Sequence, residues 1–200
     1  YAIGSGGKVL RWDGNLWTDL TGTKVTVSLR AVWGTAADDV WAVGEKGTIV
    51  HFDGAKWQAT PIEPFEIPDA PKPYEVTSTL LAVWGAAKDD VWAAGLPDGD
   101  GKGVLVHWDG EVWKYSPVFR DETRPVRAVW GWGKDRILLA GTQGMLWLFN
   151  GLDGLVPLVP PTTSTIFGMT AFGKDVLLAG DNNTLLRFTP VDQPAPKDEP

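Results

Sequence analysis

Apolar residues in this chain come in short runs of four to six, rich in Val, Ile, Leu and Trp, and each run is cut by Gly, Asp or Lys. Runs such as "LRAVWG" (29–34), "DVWAVG" (39–44) and "GTIVHFDG" (47–54) lack a 3.6-residue period. Such a pattern predicts strands joined by tight turns. No segment keeps an amphipathic helical period over about 11 residues, so the chain is expected to be nearly free of helix. No run approaches the roughly 18 apolar residues that a membrane-spanning helix needs.

The pattern repeats. "LRAVWGTAADDVWAVGEKGTIVHFDGAKW" (29–57) aligns with "LLAVWGAAKDDVWAAGLPDGDGKGVLVHWDGEVW" (80–113), the second copy being longer only where "LPDGDGKG" replaces "EKG". The segments 126–151 and 165–190 keep the frame, with Trp130 and Leu138, then Met169 and Leu177, at the places of Trp33 and Trp41. The opening "YAIGSGGKVLRWDGNLW" (1–17) matches the second half of a unit, which gives five copies, two of them incomplete. Each unit reads as four short strands. A repeat of about 40 residues built this way is the signature of a β-propeller blade, which must stack on neighbours to bury both its faces. The expected architecture is therefore an all-β propeller: a partial blade 1–28, a blade 29–61, a Pro-rich insertion 62–79, blades 80–125 and 126–164, a partial blade 165–190 and a Pro-rich tail 191–200.

Glycines 44, 95, 141 and 180 end the second strand of each unit. Gly47, Gly103 and Gly144, with Asn183 at the same place in the last unit, are expected to complete that hairpin with positive φ. The Asp-Gly pairs of "WDGNLW", "FDGAKW" and "WDGEVW" predict type I′ turns. Trp17, Trp57 and Trp113 follow on the fourth strand, where large flat side chains suit the wedge-shaped gaps between twisted blades. The ends duplicate strands two and three, so the segment is expected either to belong to a larger propeller with further blades or to complete itself with a partner or second copy; exposed strand edges invite such pairing.

Composition narrows the chemistry. A net charge of −7 and a pI near 4.8 argue against nucleic acid, which demands a concentrated basic face. There is no Cys, and the two His leave little material for a metal site. Trp, at 12 residues, is the outlier, and its positions follow the repeat.

The pattern "DVWAVG", "G", "HFDG" or "HWDG", then "W" resembles the Trp-rich bacterial β-propeller repeats, with looser similarity to Asp-box and kelch-type blades. Trp12-Asp13 and Trp108-Asp109 resemble the dipeptide of WD40 repeats, without the Gly-His that opens such a blade. This resemblance implies the fold and an extracellular, cell-surface or periplasmic setting.

Each candidate chemical motif has a structural reading. His51 and His107 share one strand-three position, occupied by Arg11, Leu148 and Arg187 elsewhere, so they read as blade residues rather than as metal ligands or general bases. "DGDGKG" (98–103) lacks an oxygen ligand at Lys102 and flanking helices, so it reads as a hairpin and not a calcium loop. Asp38-Asp39 and Asp89-Asp90 recur at a turn, unlike a hydrolase carboxylate pair. "GSGGK" (4–8) aligns with a hairpin, not a phosphate loop. The chain thus reads as a non-catalytic binding or scaffold module for a protein partner, needing no cofactor. A lectin-like propeller that binds carbohydrate is the alternative reading, and an Asp-box-type glycoside hydrolase the third. The expected binding residues are Phe65, Ile67 and Tyr74 in the Pro-rich excursion, and Trp132, the extra aromatic of "WGWGKD".

Overall fold

The computed structural model describes residues 1–20, 22, 24–66, 72–134, 136–150 and 154–190, so Ile67 and the tail 191–200 lie outside the described residues. Short apolar runs separated by Gly and Asp form five antiparallel sheets in series. The first holds β1 (Ala2–Ile3), β2 (Val9–Trp12) and β3 (Trp17–Asp19); the second holds β4 (Leu29–Ala36), β5 (Asp39–Gly44), β6 (Ile49–Phe52) and β7 (Trp57–Ala59). The third comprises β8 (Leu80–Ala87), β9 (Asp90–Gly95), β10 (Leu105–Trp108) and β11 (Trp113–Tyr115). The fourth comprises β12 (Val126–Gly133), β13 (Arg136–Gly141), β14 (Leu146–Phe149) and β15 (Leu155–Pro157). The fifth has β16 (Ile166–Phe172), β17 (Asp175–Gly180) and β18 (Leu185–Phe188). Among the described residues the only helical elements are 3-10 turns of three residues.

Every sheet is a meander, and four cores lie between successive sheets. Successive side chains of a strand point to opposite faces, so β5 serves two cores at once: Val40 and Ala42 pack toward the first sheet with Val9, while Trp41 and Val43 pack toward the third with Val91 and Trp113. All six residues of β5 are consequently buried, and the same holds for β9. The third and fourth sheets share the core of Trp92, Leu105 and Val129; the fourth and fifth share that of Leu138, Val176 and Leu178. β4, β8, β12 and β16 pack against one another in succession. Trp33, Trp84 and Trp130 from three of them meet with ring centroids 5.4 to 6.4 Å apart.

A repeated backbone latch ties sheet to sheet. The turn after the second strand of each unit bonds the chain entering its sheet, as in Glu45 N to Ser28 O, Leu96 N to Thr79 O, Thr142 N to Pro125 O and Asp181 N to Thr165 O. It also bonds the chain leaving the sheet, as in Gly47 N to Ser78 O, Gly103 N to Arg120 O and Gly144 N to Ser164 O. These crossings pass so close that a Cβ on Gly44, Gly95, Gly141 or Gly180 would overlap a crossing carbonyl. The glycines that end the second strands are thus required by close approach, and Gly44 and Gly141 have an extended φ of about −170°.

Three sequence expectations are corrected. The Asp-Gly turns are four-residue loops between Trp12 and Trp17, Phe52 and Trp57, and Trp108 and Trp113; Gly14, Gly54 and Gly110 have positive φ, but the preceding Asp does not, so they are not type I′. Each Asp instead accepts two downstream backbone N–H groups, as Asp53 does from Ala55 and Lys56, both at 2.9 Å. Positive φ occurs at Gly47, Gly144 and Asn183, whereas the longer loop before β10 places it at Gly101 instead of Gly103. In the last sheet Thr170, not Met169, stands opposite Leu177, where Trp33 stands opposite Trp41.

Candidate functional site

The buried acids are engaged inside the sheets. Asp39 opens β5, and His51 lies across the ladder on β6 with its Nε2 2.6 Å from Asp39 Oδ1. The Thr35 hydroxyl donates to the same carboxylate, and the imidazole stacks on Trp41 at 3.9 Å. The third sheet repeats this set: His107 Nε2 is 2.7 Å from Asp90 Oδ1, Trp92 Nε1 donates to that oxygen at 3.0 Å, and the two rings stack at 4.0 Å. In the fifth sheet Arg187 replaces His, its Nε donating to Asp175 at 2.6 Å. Hydrogen bonds from Thr189 and then Arg187 hold the Asp175 carboxyl below the usual carboxylate range. The fourth sheet carries Arg136 and Leu148 at the two places, so the acid and its strand-three partner change together. A pair that recurs at one ladder position is a packing device, even though Asp90 Oδ2 and Asp175 Oδ1 have no hydrogen-bond partner among the described residues.

Among the described residues, the most heavily bonded carboxylate lies in the connection 116–125. Glu122 is buried and accepts backbone N–H groups of Thr123 and Arg124, both at 2.9 Å, Arg124 Nε at 2.8 Å and Nη2 at 2.6 Å, and Trp147 Nε1 at 2.7 Å. Burial acts to raise its pKa, but these donors outweigh it and hold the carboxyl down at about 2. The pair lines a pocket of about 310 Å³ with Phe119 and Leu155, and fastens the connection to β14.

The described parts of the Pro-rich excursion, 62–66 and 72–79, lie against the third sheet. Ile62 pairs in parallel with Trp113 at the outer edge of β11, and Phe65 and Tyr74 pair with each other. Their rings sit 5.3 and 5.1 Å from that of Tyr115, and the Arg120 guanidinium lies 5.4 Å from the centre of Tyr74. Burial, followed by Asp98 beside it, pushes the Tyr74 phenol up from its ordinary value. Trp132, near the end of β12, donates its indole N–H to Lys174 O at 3.3 Å and packs 5.7 Å from Phe188, so it bridges the fourth and fifth sheets. The structure therefore brings Phe65 and Tyr74 together and holds Trp132 apart from them.

Sequence reasoning missed a groove of about 410 Å³ between the first and second sheets, lined by Tyr1, Val32, Trp33, Gly34, Ala36, Ala37 and Val40. Both aromatic walls are fixed from behind. The Tyr1 hydroxyl donates to Ala37 O at 3.1 Å and its ring packs on Phe52 and Trp57, each at 6.1 Å. Trp33 donates its indole N–H to Gly85 O at 3.1 Å. The side chains lining the groove carry no carboxylate, imidazole, ammonium or guanidinium. Such a surface can bury apolar groups and stack against planar ones. A signal for it existed in the sequence, since Ala36-Ala37 leave Trp33 without a bulky neighbour at the hairpin.

Five meandering sheets stacked through four cores around a line of inner strands decide the architecture. The chain has a β-propeller fold. Solved structures superpose on it. The structure of YCF48 bound to D1 peptide matches with a TM-score of 0.63 and 14% identity over 94% of this chain and 58% of that one. The WD40 β-propeller domain of Doa1 matches with a TM-score of 0.67 and 11% identity, over 94% and 60% respectively. The computationally designed Ika8 protein gives 0.61 and 12%, over 86% and 49%. The propeller described here thus spans about three fifths of the first two chains it matches. No family model and no curated protein matches the sequence.

Proposed function

We propose that this propeller is a non-catalytic binding scaffold that takes an extended, apolar segment of a protein partner into the groove between Tyr1 and Trp33. The observation that carries this reading is the groove itself: two immobilised aromatic walls, an alanine rim and no titrating side chain except a phenol already bonded to Ala37. A site built before its ligand arrives loses little ordering entropy on binding. YCF48, a propeller of similar architecture, was solved with a bound peptide, which supports the class of ligand without identifying it. Asp39, Asp90 and Asp175 are buried and held by a His or an Arg of their own sheet, which disfavours the glycosidase reading. The net charge of −7 favours peptides with basic flanks through long-range steering. The Trp-rich repeat supports an extracellular, cell-surface or periplasmic setting. In this reading Phe65, Tyr74 and Trp132 hold loops of the scaffold in place.

The test is selection from a random peptide library followed by calorimetric titration. Ala36→Arg fills the exposed rim without touching the core and is expected to weaken a selected peptide at least tenfold while leaving the melting temperature unchanged. Peptides that bind the Ala36→Arg variant as tightly as the parent chain place the site elsewhere; binding to a defined glycan on an array, with no peptide selected, favours the lectin reading.

A further inference from the structure

The inner strands of the second to fifth sheets each hold one extra residue at a register shift: Arg30, Leu81, Arg127 and Phe167. A bulge of this kind re-aims the side chain it carries. The turn after the second strand of the same unit begins at Glu45, Leu96, Thr142 and Asp181, and the N–H of each is latched to the carbonyl two residues before the bulge, on Ser28, Thr79, Pro125 and Thr165. Bulge and turn therefore meet at the latch end of every unit.

Three of the four units satisfy what they place there. In the second sheet Arg30 Nη2 donates to Glu45 Oε1, and the Ser28 N–H donates to the same carboxylate at 3.3 Å. In the third the two places hold Leu81 and Leu96, both half-buried. In the fifth, Phe167 carries no charge and Asp181 accepts from Asn182 at 3.4 Å. The fourth sheet sets Arg127 beside a threonine. Pro125 stands in the place of Ser28 and has no N–H to offer an acid, so both the carboxylate and its backbone donor are missing from this unit. Arg127 is half-buried, and its Nε is enclosed with no hydrogen-bond partner. An enclosed charged donor calls for an acceptor. The backbone does not account for the difference, because Lys46 and Gln143 give the two turns φ, ψ of 59°, 36° and 56°, 38°. β8 and β16 pack on either side of β12, so the mismatch does not arise at an end of the series.

We propose that Arg127 anchors a docking surface for an acidic segment of a protein partner, one Glu or Asp carboxylate of which takes the position on this guanidinium that Glu45 takes on Arg30. A planar guanidinium can meet a carboxylate through two parallel N–H groups. The net charge of −7 repels an acidic segment at long range, so the contact depends on this short-range geometry and gains nothing from steering. Arg127 lies at the latch end of β12, whereas the groove beside Trp33 lies toward the hairpin end of β4, so the two sites are separate and neither rests on the other.

Nuclear magnetic resonance titration of the isotope-labelled chain tests the proposal, with acetyl-Ala-Glu-Ala-amide, its Gln analogue and inorganic phosphate as probes. The Glu peptide is expected to move the Arg127 Nε–H resonance saturably in the millimolar range, and the Gln analogue to leave it in place. Thr142→Glu copies the second sheet and is expected to close the site within the chain, weakening the Glu peptide at least tenfold. Arg127→Leu copies the third sheet and is expected to abolish the peptide-induced shifts at the amides from Gly141 to Gly144. Arg127→Gln replaces it if the amide spectrum shows lost packing. A Glu peptide that leaves the Arg127 Nε–H unmoved up to its solubility limit overturns the proposal, as does equal affinity for the Thr142→Glu chain. A shift caused by phosphate and not by the Glu peptide overturns it in favour of a free anion.

Discussion

Asp90 shows how much one side chain can decide. Its carboxylate lies 2.7 Å from His107 Nε2 and accepts the Trp92 indole N–H, so removing it leaves the buried Trp92 indole and the half-buried His107 ring without their partner. Losing a buried hydrogen-bond partner costs about 1–3 kcal/mol. Asp90→Ala is therefore expected to destabilise the chain by about 2 kcal/mol in urea titration. Adding His107→Leu, which imitates Leu148 of the fourth sheet, is expected to recover part of that loss, because the second substitution removes a partner the first has orphaned. Strict additivity in the double-mutant cycle would mean that the pair does not act as a unit. The acid and the imidazole were each legible in the sequence as repeated letters. Their union was not, since it depends on the ladder that places Trp41 opposite His51 and Trp92 opposite His107.

Strands and connections extend this lesson. The repeat was legible because every interior sheet meets the same requirement, two apolar faces and a close crossing at its glycines. The slip at Thr170 arises because the hairpin from Phe172 to Asp175 lacks the register shift present between Gly34 and Ala36, so counting residues places Met169 one position off the ladder. The docking of the Pro-rich excursion was hidden for another reason: Phe65 and Tyr74 find Tyr115, a residue remote in sequence with no local periodicity to announce it. Tyr115→Ala is expected to speed hydrogen exchange at the Phe65 and Tyr74 amides, which bond each other's carbonyls at 2.8 and 2.7 Å. Unchanged exchange would mean that the Pro residues alone hold the excursion. The connection 116–125 adds a dependence on pH. Glu122 titrates at about 2 in the folded chain against an ordinary value of 4.5, so the folded state binds its proton less readily than the unfolded state. Its contribution is complete above about pH 4.5 and is lost as pH falls from there through about 2. Glu122→Gln is expected to flatten that part of the acid-unfolding curve and to cost about 1–3 kcal/mol at neutral pH by leaving the Arg124 and Trp147 donors poorly matched.

In the assembled propeller, the cost of an identical substitution depends on where its sheet stands in the series. Leu146 and Leu185 are the same residue at the same place in two consecutive sheets, paired with Ala140 and Ala179 respectively. Leu146 is enclosed by the fifth sheet, whereas Leu185 faces solvent in the single chain. Truncating a buried Leu costs about 2–5 kcal/mol through lost transfer energy and the cavity left behind. Exposed positions usually change stability by no more than about 0.5 kcal/mol. Leu146→Ala is therefore expected to lower the denaturation midpoint strongly and Leu185→Ala hardly at all. A loss for Leu185→Ala as large as that for Leu146→Ala would mean that the outer face of the fifth sheet is covered.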